Sequence, residues 1–228
     1  MGSPTAIIAI VPAAAAFILF FVVLFLKYRE RKGKVTMYFM LCFLCIGLGY
    51  CGWVIRSVFY PPDADAETVF FWFKSTYMVS SPFCVFLALA AFEFLRPETI
   101  RKTGNLILFV APIVFLEVWT FFSTPSIIII AGQNDGIWPP ALSLGYAVIG
   151  GFYLVLINYV FIRFLLENPK HRLYAKVVLM EIGLIFFTSG TILEASKIGV
   201  GSVEAWGLFV RWFTASGALI MMYAYMKK

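Results

Sequence analysis

Long apolar stretches alternate with short polar ones along the whole chain. Seven of them are long enough to cross a bilayer as helices, which takes about 20 apolar residues. They lie near Thr5–Leu26, Thr36–Phe59, Thr68–Leu95, Asn105–Phe122, Ala141–Leu166, Leu173–Ala195 and Glu204–Met226. The connections are short and polar, except the fourth, "STPSIIIIAGQNDGIWPP". Its isoleucine run at 127–130 is bracketed by Pro125, Gly132, Gly136 and the Pro139-Pro140 pair. That punctuation predicts a short apolar segment outside the bundle, a strand or a lid dipping into the interface, and not a longer fourth helix. No internal repeat is visible, which counts against an inverted-repeat transporter.

The connections also alternate in charge. "KYRERKGK", "RPETIRK" and "ENPKHR" are basic, whereas the second, "PPDADAE", is acidic. With the odd connections and the C-terminal lysines on the cytoplasmic side, 14 of the 18 Lys and Arg residues lie there, leaving Arg56, Lys74, Lys197 and Arg211 towards the outside. This asymmetry satisfies the positive-inside rule with the N-terminus outside and the C-terminus in the cytoplasm. The first run has no basic residue before it, so it reads as a transmembrane helix and not as a secretory signal.

Composition agrees with the pattern. Only 13% of the residues are charged, about half the share of a soluble domain, and mean hydropathy is +0.91. The reading is an all-α, multi-pass protein of the cell membrane, one seven-helix transmembrane domain over residues 1–228. Membrane lipids are its first partners. The net charge of +6 is accounted for by orientation, so no nucleic-acid partner is implied.

Motifs for catalysis are missing. His171 is the single histidine, and no nucleophile triad, zinc motif or aspartate-rich cluster occurs. Neither enzymatic activity, nor a metal, nor a cofactor is expected. Cys42, Cys45, Cys51 and Cys84 all fall in apolar segments and read as small buried hydrophobes. "GLGYCG" at 47–52 fits a dinucleotide fingerprint but lies inside the second helix. There, and at Gly145, Gly150 and Gly151, small residues let helices approach closely. Pro82 predicts a kink in the third helix, with Ser80 or Ser81 donating to a freed carbonyl.

What remains is charge within the membrane, where ionisable groups mark function by default. Arg56, Lys74, Glu117, Glu194 and Arg211 come from five different helices at similar depth, with Tyr77 and Trp119 beside them. These seven residues are the candidate ligand-binding set. Glu117 with Lys74 and Glu194 with Arg211 are the expected pairs, and the positive excess points to an anionic small ligand. The competing reading is ion pairing that only fixes helix packing, with Arg56 and Lys74 snorkelling to the headgroups. Glu181 stands apart, either paired with Lys176 or facing a cytoplasmic cavity. Lys197 and Glu204 belong to the wet sixth connection.

Two stretches, "LEASKIGVG" and "SSPF", resemble microbial rhodopsins, but Lys197 lies at the exit of the sixth helix and the third has no mid-membrane carboxylate, so retinal is excluded. A broader likeness lies elsewhere. "FFWFKSTYMVSSPFCVFLALAAFEFL", "LILFVAPIVFL" and "NPKHRLYAKVVLMEIGLIFFTSGTIL" resemble, in order, the seven-helix sensor region at the N-terminus of bacterial and archaeal histidine kinases. Trp72, Lys74, Tyr77, Pro82, Phe86, Glu93, Pro112 and Arg172 are the matching positions. The resemblance implies a receptor-like sensor that signals through the cytoplasmic side. That family continues into an output domain, whereas this chain ends at Lys228, so the signal is expected to pass to a separate cytoplasmic partner, or the chain is the sensor region of a longer protein. The alternatives are a small-solute transporter or channel, and a structural subunit that packs against a partner membrane subunit.

Overall fold

The structure is a computed structural model that describes residues 4–100, 102–130, 133–196 and 204–227. Nine helices and one hairpin follow each other among them: α1 (Pro4–Arg31), α2 (Lys34–Phe59), α3 (Ala66–Ser80), α4 (Phe83–Leu95), the single turn α5 (Pro97–Ile100), α6 (Thr103–Phe122), strands β1 (Ser126–Ile130) and β2 (Gln133–Ile137), α7 (Pro140–Glu167), α8 (Tyr174–Ser196) and α9 (Glu204–Met226). Six spans among the described residues are long and apolar enough to cross a membrane: α1, α2, α3 with α4, α6, α7 and α8. The protein is a helical membrane bundle. Lys197 lies outside the described residues. Glu204, expected both to open the seventh helix and to border the wet sixth connection, is the first residue of α9.

Large apolar side chains face outward over most of the surface, among them Phe115, Val148, Val155 and Leu166. That is the distribution expected where hydrocarbon, not water, surrounds the helices. Around the bundle α1 packs on α2, α2 on α3 and α4, α4 on α7, α7 on α8, α8 on α9, and α9 returns to α1. Helix α6 sits at the periphery against α3, α4 and α7. The interior is aromatic at mid-height. Phe17, Phe20, Phe43 and Phe187 are at most 1% exposed, and their rings meet at centroid distances of 4.2–6.4 Å.

The glycines of "GLGYCG" serve close approach. A Cβ on Gly49 would lie 2.7 Å from the Ser80 Cβ and 3.0 Å from the Thr76 carbonyl, so α2 and α3 touch backbone to side chain there. Gly145 and Gly150 receive Trp119 and Ile192 in the same way, whereas Gly151 meets nothing within 4 Å.

Pro82 divides the third apolar run into two helices. It has no N–H, so the chain turns through Ser81 and Pro82 before α4 begins. The Ser81 N–H closes α3 on the Tyr77 carbonyl at 2.9 Å, and the Ser80 hydroxyl donates to the same oxygen at 3.2 Å. That carbonyl is already paired, whereas the one Pro82 leaves without its helical donor is Met78's, so this hydroxyl does not supply the expected compensation. The Ser81 hydroxyl leaves the helix and donates to Glu117.

The isoleucine run forms β1, paired antiparallel with β2 from Ser126↔Ile137 to Ile130↔Gln133. The hairpin is tied down onto the bundle. Asn134 donates its N–H to the Pro62 carbonyl at 2.7 Å and its side-chain amide to the Ala64 carbonyl at 3.1 Å. Trp138, just past β2, is 2% exposed and inserts its ring among Phe73, Tyr77 and Tyr146. This closes the bundle at one end, called here the hairpin end.

Candidate functional site

Glu194 lies in the last turn of α8 and Arg211 two turns into α9. The Arg211 Nε donates to Glu194 Oε1 at 2.7 Å, with the residues 4% and 8% exposed. Helix α2 presents Tyr50 and Trp53 to this pair from one face, three residues apart and so adjacent on a helix. Tyr50 donates its hydroxyl to Glu194 Oε2. The Arg211 guanidinium sits 5.0 Å from the centre of the Trp53 ring, a cation–π arrangement strengthened by exclusion of water. Tyr77 of α3 donates to the Glu194 backbone carbonyl at 3.2 Å. Four helices thus converge on one carboxylate and its counter-charge.

Aromatic contacts extend the assembly sideways. Tyr50 meets Trp53 at 5.3 Å, Trp53 meets Tyr77 at 5.8 Å, and Tyr77 meets Tyr146 of α7 at 5.3 Å. Tyr146 shares a 2.8 Å hydrogen bond with Thr120 of α6. Asp135 of β2 is buried and lies close enough to act electrostatically on both Arg56 and Arg211. Against this framework lies a cavity of about 70 Å³. Tyr50, Trp53, Tyr77 and Glu194 form its polar side, and Ile113 and Ile192 are among the apolar residues opposite. Among the described residues that line it, Glu194 is the one that is charged.

The candidate set from the sequence does not form one cluster. Tyr77, Glu194 and Arg211 come together as described. Arg56 is 4% exposed but points to the hairpin, donating to the Asn134 carbonyl at 3.0 Å and the Pro61 carbonyl at 3.4 Å. Lys74 and Glu117 do not pair. Because α3 and α6 are antiparallel, Lys74 is level with Phe121 and Glu117 with Ser81. The Lys74 Nζ accordingly caps the C-terminal end of α6 at the Phe121 carbonyl, 3.1 Å away, and Glu117 accepts from Ser81. Trp119 packs on Gly145 and Phe115 and does not line the cavity.

Glu181 does not pair with Lys176 either. The Lys176 Nζ donates to the Lys227 carbonyl at 2.8 Å. Glu181 is 6% exposed, and neither carboxyl oxygen has a hydrogen-bond partner. Among the described residues no group of three or more His, Cys, Asp or Glu could hold a metal. All four cysteines are free, Cys42 is fully buried, and Cys84 lines the cavity.

Tyr50, Trp53, Asp135, Trp138 and Tyr146 escaped the sequence reading, which weighed charge within helices. One signal was available: Tyr50, Trp53 and Ser57 fall at helical spacing on a single face of α2, with polar tips in an otherwise apolar helix. No protein-family model and no curated protein matches the chain.

Proposed function

We propose that this chain is a seven-helix, receptor-like membrane domain that binds a small, uncharged, largely apolar molecule in the cavity beneath the Glu194–Arg211 pair. Helix α9 serves as the seventh crossing. Its 23 residues reach about 34 Å at 1.5 Å per residue, enough for a hydrocarbon core of about 30 Å. An odd number of crossings puts the termini on opposite sides. The end that carries Lys27, Arg31, Lys32 and Lys34 is the cytoplasmic one by the positive-inside rule, so the hairpin caps the outer end.

The observation that carries the reading is the cavity itself, walled by tyrosines, a tryptophan and the Glu194 carboxylate that Arg211 neutralises. An anionic ligand, expected from the positive excess, finds no free cation there among the described residues. Arg211 is committed to Glu194, Arg56 to the Asn134 and Pro61 carbonyls, and Lys74 to the end of α6. Hydroxyl groups and ring faces are what the wall offers, which suits an aromatic or aliphatic molecule with one hydrogen-bonding group.

Phe43, Leu184 and Phe187, each at most 1% exposed, stand between this cavity and the opposite end of the bundle. That dry layer disfavours a channel or a transport path. A receptor passes its response through helix movement to the basic end, where a cytoplasmic signalling partner would dock. The likeness to histidine-kinase sensor regions points the same way.

Phenol, a single ring with one hydroxyl, is a suitable first probe. The purified protein should show a saturable rise in melting temperature with phenol, accompanied by a change in tryptophan fluorescence. Ile113→Phe, which fills the apolar side of the cavity, should abolish both. No saturable effect on the native protein, or the same effect on both proteins, overturns the binding reading.

A further inference from the structure

At the end opposite the hairpin, five helix termini surround a second cavity. Its volume is about 330 Å³, and it lies between α1, α2, α4, α7, α8 and α9. The floor is apolar and buried: Phe39, Phe161, Val177 and Met180. The rim is cationic, with Lys27 and Arg31 from the last turns of α1, Lys176 from the first turn of α8, and Lys227 just past α9. Among the described residues no carboxylate lines it.

These cations are held together with little to offset them. Lys176 is fixed in place by its bond to the Lys227 carbonyl and lies 5.9 Å from the centre of the Tyr225 ring. Tyr225 is itself anchored by a 2.7 Å hydrogen bond with Thr36. The charges that act on Lys176 are Arg31 and Lys27, both of its own sign. Lys27 has one acidic neighbour, Glu30, at 3.9 Å, with the lysine side chain partly exposed and the glutamate largely in solvent. Gathering like charges at one point is unfavourable unless an anion joins them.

The height of the cavity identifies the anion. Helix termini of a bilayer-spanning bundle lie at the level of the lipid headgroups. One edge of the cavity is Phe94, which is 38% exposed on the outward face of α4. The site therefore offers cations to a headgroup and an apolar floor with a side door to the acyl region. Basic pockets between transmembrane helices bind anionic headgroups in this way. We propose that this cavity binds an anionic phospholipid, with Lys27, Arg31 and Lys176 on the phosphate and the Phe39–Phe161–Met180 floor against the glycerol and upper chain.

The test uses the full chain in a zwitterionic detergent micelle, titrated with phosphatidylglycerol, phosphatidylcholine or inorganic phosphate, with melting temperature as the readout. Phosphatidylglycerol should stabilise saturably at substoichiometric micelle fractions, and phosphatidylcholine should not. Lys176→Gln and Arg31→Gln should each weaken the phosphatidylglycerol effect about fivefold, the worth of one cation near a headgroup. Met180→Trp, which fills the floor, should weaken it without altering any response to phosphate. Lys27→Gln, at a partly exposed position, keeps the test decisive if the other variants fail to fold. Lys102→Gln and Lys170→Gln, at the same end but outside the cavity, should leave it unchanged. Equal effects of the two lipids, equal loss in the outside variants, or full stabilisation by inorganic phosphate alone each overturn the proposal.

Discussion

Glu194 and Arg211 are 17 positions apart on consecutive helices and meet at 2.7 Å, both shielded from solvent by Tyr50, Trp53 and Tyr77. A pair so placed is asymmetric in its consequences. Breaking it by removing one partner leaves a buried charge, which costs about 3–5 kcal/mol. Arg211→Met should therefore lower the melting temperature by about 6–20 °C. The double variant Glu194→Gln with Arg211→Met keeps an acceptor for Tyr50 and should recover a large part of that loss. Thermal unfolding of the three proteins checks this, and equal losses in the single and double variants would contradict the argument.

Glu181 behaves in the opposite sense. Its two carboxyl oxygens are buried without partners, and an unsatisfied buried polar group costs about 1–3 kcal/mol. Glu181→Leu should stabilise the protein by a similar amount. A fall in melting temperature would mean that the carboxyl makes an interaction the structure does not contain.

The hairpin depends on Trp138. Trp138→Ala removes a ring shared by Phe73, Tyr77 and Tyr146 and should cost about 3–5 kcal/mol. Trp138→Phe keeps an aromatic ring and removes an indole N–H that has no acceptor, so it should lose less than half as much. Limited proteolysis within residues 123–139 reports the same order, with the alanine variant cut fastest.

Orientation is open to chemical labelling. In intact cells a membrane-impermeant maleimide should react with Asn134→Cys, at the hairpin, and not with Lys170→Cys, which should label only after permeabilisation. The native cysteines are buried or half-buried within helices, which keeps the background low. The reverse pattern would invert the topology.

The helices and the strand at 127–130 were legible because apolar run length and Gly/Pro punctuation are local properties. The break at Pro82 was legible for the same reason, since a missing N–H acts within one turn. The Glu194–Arg211 pair followed from depth on adjacent helices. The Glu117–Lys74 pair failed because depth fixes only one coordinate. The antiparallel register of α3 and α6 sets Glu117 level with Ser81 and leaves Lys74 at the end of α6, and a single sequence does not reveal that register. Tyr50 and Asp135 were missed because their partners lie in distant parts of the chain. The tyrosine is apolar by most of its surface, and the aspartate looked like an ordinary loop residue.

Those distances along the chain also set an order in time. The closer of the two acceptors for Arg56 lies 78 residues downstream, at Asn134, and at about 5–20 residues per second it emerges about 4–16 s later. Tyr50 waits longer still, for a partner 144 residues away. Helix α2 thus enters the bilayer with a charge not yet answered, tolerable because Arg56 stands one turn from the helix end and can reach the headgroups meanwhile. Glu194 and Arg211 face no such delay. They arrive on the last two helices within 17 residues of each other, so this buried pair can be inserted together as a neutral unit.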